Sequence, residues 1–134
     1  MTYTELAALI EAGTGLPCVL PGAQLKAFPC VTLEPTGITL RDGLRVGFEN
    51  ANVVVRYPLA QGDEFQFEQL NTAAYDVLSA LIGTRVLVGD FIELVGDPNG
   101  TTPNIGYVFN ATFPGIDFCP PPPPEPEPEP KTEE

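Results

Sequence analysis

Apolar residues recur at helical spacing near the start of the chain. The stripe consists of Leu6, Leu9 and Ile10. Thr2 and Glu5 have the spacing of a capping box, in which the threonine accepts from the backbone three residues later. Gly13 and Gly15 follow, and glycine is the residue that most often ends a helix. The pattern predicts a short first helix that ends at this pair of glycines.

A second apolar stripe, at spacings of three and four, lies in the segment 63–83, DEFQFEQLNTAAYDVLSALIG. Its members are Phe67, Leu70, Ala74, Val77, Leu78 and Leu81. Asp63 is placed to cap the first turn, and Gly83 is placed to end the helix. This stripe predicts one long helix with a single buried face.

Alternating patterns predict strands in the rest of the chain. Segment 30–34 puts Val31 and Leu33 on one face, and segment 38–40 with its Arg-Asp-Gly turn suggests a hairpin. In segment 52–59 one face is wholly apolar, formed by Val53, Val55, Tyr57 and Leu59. Two further strands are predicted in 85–96 and 105–116, joined by a turn-rich segment.

Two polar-face residues of segment 52–59 bear on function. Arg56 lies on the face opposite the apolar one, so we expect it to face solvent or a partner. Pro58 cannot donate to a strand ladder, which marks a strand end or an edge strand.

The order of predicted elements is α–β–β–β–α–β–β, which is typical of an α+β fold. We expect one antiparallel sheet with two helices packed on it. Residues 1–119 form the predicted domain. Residues 120–134, PPPPPEPEPEPKTEE, have almost nothing to bury and are predicted to be a separate extended or disordered tail.

The formal net charge of −12, from 18 acidic and 6 basic residues, argues against nucleic-acid binding. A nucleic-acid binder needs clustered basic side chains that displace counterions from phosphates. The acidity serves solubility, or it repels DNA that passes close to the surface.

Enzymatic chemistry finds little support in the residues. The chain has no histidine, so arrangements that need a histidine base are impossible. Cys18, Cys30 and Cys119 match no zinc spacing, and we expect buried, reduced thiols, with a Cys18–Cys30 disulfide as the alternative. The Asp97-Pro-Asn-Gly sequence is read as a turn and not as a calcium loop. We therefore expect that the protein is not an enzyme and binds no cofactor or metal. The N-terminal sequence also lacks the pattern of a signal peptide, and no apolar segment is long enough for a membrane span.

The Pro/Glu tail favours polyproline II geometry. Such a segment is either a ligand for an aromatic groove or a solvated terminus. If it is a ligand, the protein would be a monomeric adaptor whose tail recruits a partner.

Several segments together resemble the tail-terminator proteins of long-tailed bacteriophages, of the lambda type. The resemblance lies in AFPCVTL (27–33), in VVVRYPLAQGDEF (53–65), in the helix that ends at Gly83 and in YVFNATF (107–113). It spans nearly all of residues 1–119. Related neck and head-completion ring proteins share much of this pattern, whereas the Pro/Glu tail is not part of it.

The resemblance implies a virion structural protein that is assembled in the host cytoplasm. It would form a homohexameric ring on the tail tube, stop tube polymerisation and contact the head-proximal neck or stopper protein. DNA would pass through its lumen without specific binding.

A ring built from one repeated interface needs two different patches on each subunit. Arg56 and Pro58 are candidates for one patch, and Arg41 and Arg45 are candidates for the other. The alternative for the three arginines is that they are exposed charges that only favour solubility.

Overall fold

The described residues form one five-stranded sheet with two helices. A computed structural model describes residues 1–24, 28–41, 46–58, 65–97 and 103–117. The elements are α1 (Tyr3–Thr14), β1 (Cys18–Val19), β2 (Cys30–Arg41), β3 (Val46–Pro58), α2 (Phe65–Leu81), β4 (Leu87–Asp97) and β5 (Asn104–Asp117). The sheet order is β1-β2-β3-β5-β4. The α+β class is confirmed, and the element order roughly fits the predicted one.

The predicted strand boundaries and the purely antiparallel sheet need correction. Segments 30–34 and 38–40 belong to one strand, β2, because an irregularity between Pro35 and Gly37 absorbs the extra residue. The additional strand before β3 is instead the two-residue β1. It runs parallel to β2, with Cys18 opposite Val31, so the sheet is mixed.

Helix α1 begins as its sequence predicts. The Glu5 backbone N–H donates to Thr2 Oγ1 at 3.1 Å, and Gly15 ends the helix with φ of +72°. Gly13 does not end the helix but lies inside it. A Cβ at Gly13 would approach the Ala80 Cβ to 2.4 Å, so Gly13 is where α1 and α2 come into close contact.

Helix α2 buries most of its predicted stripe. Leu70, Ala74, Val77 and Leu81 are buried, and Leu78 is half-buried. Phe67 is the exception, since 45% of it is exposed. The predicted cap Asp63 lies outside the described residues, while Gly83 has the left-handed φ of +81° expected just after a helix.

The core lies between the helices and one face of the sheet, here called the helix-side face. Its strand residues include Val31, Leu33, Val53, Val55, Phe109, Ala111 and Phe113. Leu6 and Ile10 of α1 pack on them, and Tyr3 meets Phe113 edge-to-face with ring centroids 5.1 Å apart. The alternation predicted for segments 30–34 and 52–58 is therefore confirmed.

Strand β3 lies in the middle of the sheet, between β2 and β5. Pro58 is its last residue, which confirms a strand end, but the expectation of an edge strand is wrong. The edges of the sheet lie elsewhere. Among the described strands, one edge is β4 and the other is the part of β2 after Thr32, because β1 pairs with Val31 and Thr32 alone.

Candidate interaction surfaces

Helix α2 carries a second stripe beside its buried one. Its members in the helix are Phe67, Asn71, Tyr75 and Leu78, and Ile82 continues the spacing of three and four just after the helix ends at Leu81. Tyr75 is 71% exposed and Ile82 is 77% exposed. A helix in a small domain usually turns one apolar stripe inward, so a second exposed stripe indicates a surface that another molecule can cover.

Strand β4 completes this surface. Ile92 pairs with Phe109, and Leu94 pairs with Tyr107. Paired residues share a face of the sheet, so Ile92 and Leu94 lie on the helix-side face, yet both remain exposed. The reason is the position of α2, which packs mainly over β3 and leaves β4 partly uncovered.

Between α2 and β4 lies a groove of about 190 Å³, here called the α2–β4 groove. It is lined by Asn71, Ala74, Tyr75, Leu78, Ile92 and Tyr107. Phe67 stacks edge-on against Tyr107 at one end, with ring centroids 6.3 Å apart. The lining is largely aromatic and aliphatic, which is the chemistry of a contact surface for apolar side chains.

A second exposed apolar surface lies on the hairpin formed by β2 and β3, here called the β2–β3 hairpin. Ile38 is 58% exposed and Leu40 is 45% exposed. Ile38 pairs with Glu49, which in turn pairs with the core residue Phe113. Ile38 and Leu40 therefore share the helix-side face, but at an end of the sheet where they stay exposed.

The two edges also differ in charge. Strand β4 contains Asp90, Glu93 and Asp97 and no basic residue. From Pro35 to its end, β2 has Arg41 as its only charged residue, and Asp42 and Arg45 follow before β3, so the sequence 35–45 has a net charge of +1. Opposite charge on two surfaces favours their association and fixes its orientation.

Arg56 lies on the face opposite the helices, as predicted, but its guanidinium group binds within the chain. Nε donates to Thr32 Oγ1 at 3.2 Å, and Nη1 donates to Asn104 Oδ1 at 3.0 Å. Nη2 forms an ion pair with Glu34 Oε1 at 3.0 Å. The arginine thus links β2, β3 and β5, and its described contacts serve the sheet itself.

The structure describes three of the four predicted interface residues and places Arg41 away from Arg56. Arg41 is the last residue of β2, whereas Arg56 pairs with the first residue of that strand, Cys30. The two positions are separated by most of a strand, about 35 Å at 3.3 Å per residue. Arg45 lies outside the described residues, and Pro58 ends the central strand. Their role between subunits stays a prediction.

The exposed apolar residues of both surfaces were not predicted from the sequence. A sequence signal for them did exist at α2, because Tyr75 and Ile82 continue a second stripe at helical spacing. It was absent in β4, because exposure there depends on how far α2 reaches across the sheet, which no local pattern encodes.

The thiols fit the expected structural role. Cys18 and Cys30 are buried and free. Burial raises the pKa of the Cys18 thiol to about 12, with a smaller contribution from Glu11. Burial also raises the pKa of Cys30, which Arg56 opposes. The alternative of a Cys18–Cys30 disulfide is thus not what the structure shows, and Cys119 lies outside the described residues.

Within the described ranges, no group of three potential metal ligands comes together. Neither α1 nor α2 combines the length and the hydropathy that crossing a membrane requires.

No family model matches the chain, and no curated protein matches it. The features that define this molecule are therefore an α+β fold and two unlike apolar surfaces at its edges.

Proposed function

We propose that this protein is a virion structural protein that assembles with itself, head to tail, into a ring on a phage tail tube. The observation that carries the self-assembly is the pair of unlike exposed surfaces, the α2–β4 groove and the β2–β3 hairpin. A head-to-tail contact needs two different complementary patches on each subunit, and it gives a ring when the rotation between neighbours closes.

Exposed apolar side chains support this assembly role. Tyr75, Ile82 and Ile38 are each more than half exposed in a single copy. Aromatic and large aliphatic residues are enriched at the centres of protein interfaces. Contact between copies would remove these side chains from water, which is the main favourable term in association.

The assignment to a tail terminator rests on the resemblance of the sequence. The matching segments correspond to the start of β2, the end of β3, helix α2 and the middle of β5. Acidic residues outnumber basic ones in residues 1–119 by thirteen to five, as suits a ring whose lumen must let DNA slide through. In this role the ring stops tube growth and presents a surface to the neck protein.

Electron microscopy of tail tubes tests the proposed function. Tail-tube protein from the same genome is polymerised with and without this chain. The expected result is a ring at one end of each tube and a shorter mean tube length. Rings that form but never attach to tubes would instead favour a neighbouring neck position, and a lack of both rings and tube binding would contradict the proposal.

A further inference from the structure

We infer that β4 of one copy pairs edge to edge with the β2 strand of the next copy, so that Ile38 and Leu40 of that copy cover the α2–β4 groove. This inference rests on the proposed self-assembly and specifies its interface. The contact would extend one sheet from subunit to subunit.

The backbones of the two edges are suited to this pairing. Within the described residues, β4 pairs with β5 on one side only, and β1 covers β2 only at Val31 and Thr32. Each edge thus offers backbone N–H and C=O groups, which are a template for another strand. On β2 this part runs from Gly37 to Arg41, because Pro35 has no N–H and the strand is irregular between Pro35 and Gly37. Since each of the pairs β2–β3, β3–β5 and β5–β4 is antiparallel, β2 and β4 run in opposite directions. A neighbour in the same orientation therefore presents β2 antiparallel to β4.

The side chains match on the helix-side face. Ile92 and Leu94 lie on that face of β4, and Ile38 and Leu40 lie on the same face of β2. Ile38 is level with Phe113 through Glu49, whereas Ile92 and Leu94 pair with Phe109 and Tyr107. The two pairs therefore become neighbours when the next copy is shifted along the strands by about four to six residues, roughly 13–20 Å. Tyr75 and Leu78 of α2 then lie over the contact between the two strands, because α2 lies beside β4 on the helix-side face. One contact would thus cover the exposed residues of both surfaces.

Charge favours the hairpin of a neighbouring copy, and not the chain's own Pro/Glu tail, as the segment that occupies the α2–β4 groove. A proline-rich segment fits an aromatic groove in principle. The tail, however, carries five glutamates and one lysine, and β4 already holds Asp90, Glu93 and Asp97. Segment 35–45 instead contains Arg41, Asp42 and Arg45, a net charge of +1, so it is repelled less by this acidic strand than the tail is.

A pair of complementary defects tests the interface. Leu40→Asp damages only the hairpin, and Tyr75→Asp damages only the groove. Each variant alone is expected to remain monomeric at concentrations where the wild-type chain assembles. Their equimolar mixture is expected to give a dimer and nothing larger, because the intact groove of Leu40→Asp still binds the intact hairpin of Tyr75→Asp.

The control for added charge is Thr72→Asp, at an exposed position on the polar side of α2. It should assemble like wild type, and thermal unfolding should show that all three variants fold. Wild-type assembly by either Leu40→Asp or Tyr75→Asp would overturn the inference, as would a mixture that stays monomeric.

Cysteine cross-linking separates failure of this interface from failure of the proposed function. Leu40→Cys and Leu94→Cys are made in a Cys119→Ser background, mixed and oxidised. A covalent pair is expected from the mixture and not from either variant alone. Rings that form without this cross-link and tolerate Leu40→Asp would overturn the inference and leave the proposed function standing. A wild-type chain that stays monomeric and ignores tail tubes would contradict both.

Discussion

At the scale of single residues, Arg56 shows how a charged side chain can belong to the fold. It is paired across the sheet with Glu34, Thr32 and Asn104, and its side chain is 19% exposed. An ion pair this close to solvent contributes little by itself. The two hydrogen bonds to Thr32 and Asn104 matter more, because both of these residues are buried.

Replacing the guanidinium of Arg56 should therefore lower the free energy of unfolding more than removing its ion pair with Glu34. Arg56→Met keeps the length of the side chain but removes its donors, and we expect it to lower the free energy of unfolding by about 1–3 kcal/mol. Glu34→Gln should lower it by less than about 1 kcal/mol. Urea denaturation of both variants measures the difference. A larger loss in Glu34→Gln would show that the ion pair dominates.

Cys18 predicts a specific dependence of stability on pH. Its pKa rises from 9.0 to about 12 on folding, so the folded state favours the protonated thiol. The stabilisation is complete below pH 9 and is lost as the pH rises from 9 toward 12. The free energy of unfolding of wild type should fall more steeply between pH 8.5 and about 10.5 than that of Cys18→Ala. Parallel curves for the two proteins would contradict the burial of this thiol.

At the scale of elements, the contact between α1 and α2 depends on one missing side chain. Gly13 faces Ala80 so closely that a Cβ at residue 13 would lie 2.4 Å from the alanine Cβ. The two helices can keep this distance only if one of the two positions is glycine.

This contact reverses the usual effect of a substitution from glycine to alanine. In an open helix interior, alanine is favoured over glycine by about 1 kcal/mol. Here Gly13→Ala should destabilise the protein in the wild-type background, because the helices must move apart. In an Ala80→Gly background the same change should be neutral or stabilising. A double-mutant cycle by denaturant unfolding gives the coupling, and additivity of the two changes would refute the close contact.

The elements themselves were largely readable from sequence, and the errors have physical causes. The capping box at Thr2 and the alternation around Val53 depend on local spacing, so both predictions were confirmed. The division of β2 was wrong because segments 30–34 and 38–40 were predicted as separate strands, whereas the sheet joins them across an irregularity between Pro35 and Gly37. Strand β1 was missed because two paired residues leave no periodic signal. The position of β3 at the centre was missed because strand order is set by non-local pairing.

The candidate surfaces were less accessible to sequence analysis than the fold. Arginines were chosen because they stand out in an acidic chain, but Arg56 binds within its own sheet. The exposure of Tyr75 and Ile92 follows from the placement of α2 over the sheet, which only the folded chain defines. The sequence alone does not show whether an apolar side chain is covered by another element in the folded chain.

At the scale of the whole molecule, the sheet has two open edges of different character. Proteins that remain monomeric usually protect such edges with charge, with proline or with a covering element. Here β4 carries three acidic residues and the free part of β2 carries Pro35, but each edge also exposes large apolar side chains. Two complementary edges that lie on opposite sides of one sheet suit a molecule that repeats by rotation.

Native mass, measured by light scattering across a concentration series, tests the claim of self-assembly most directly. The account predicts a discrete species at a multiple of 14.3 kDa, and the resemblance predicts six copies. The species should lose its higher mass in Tyr75→Asp and keep it in Thr72→Asp. A stable 14.3 kDa monomer at every concentration, with or without tail tubes, would contradict the account.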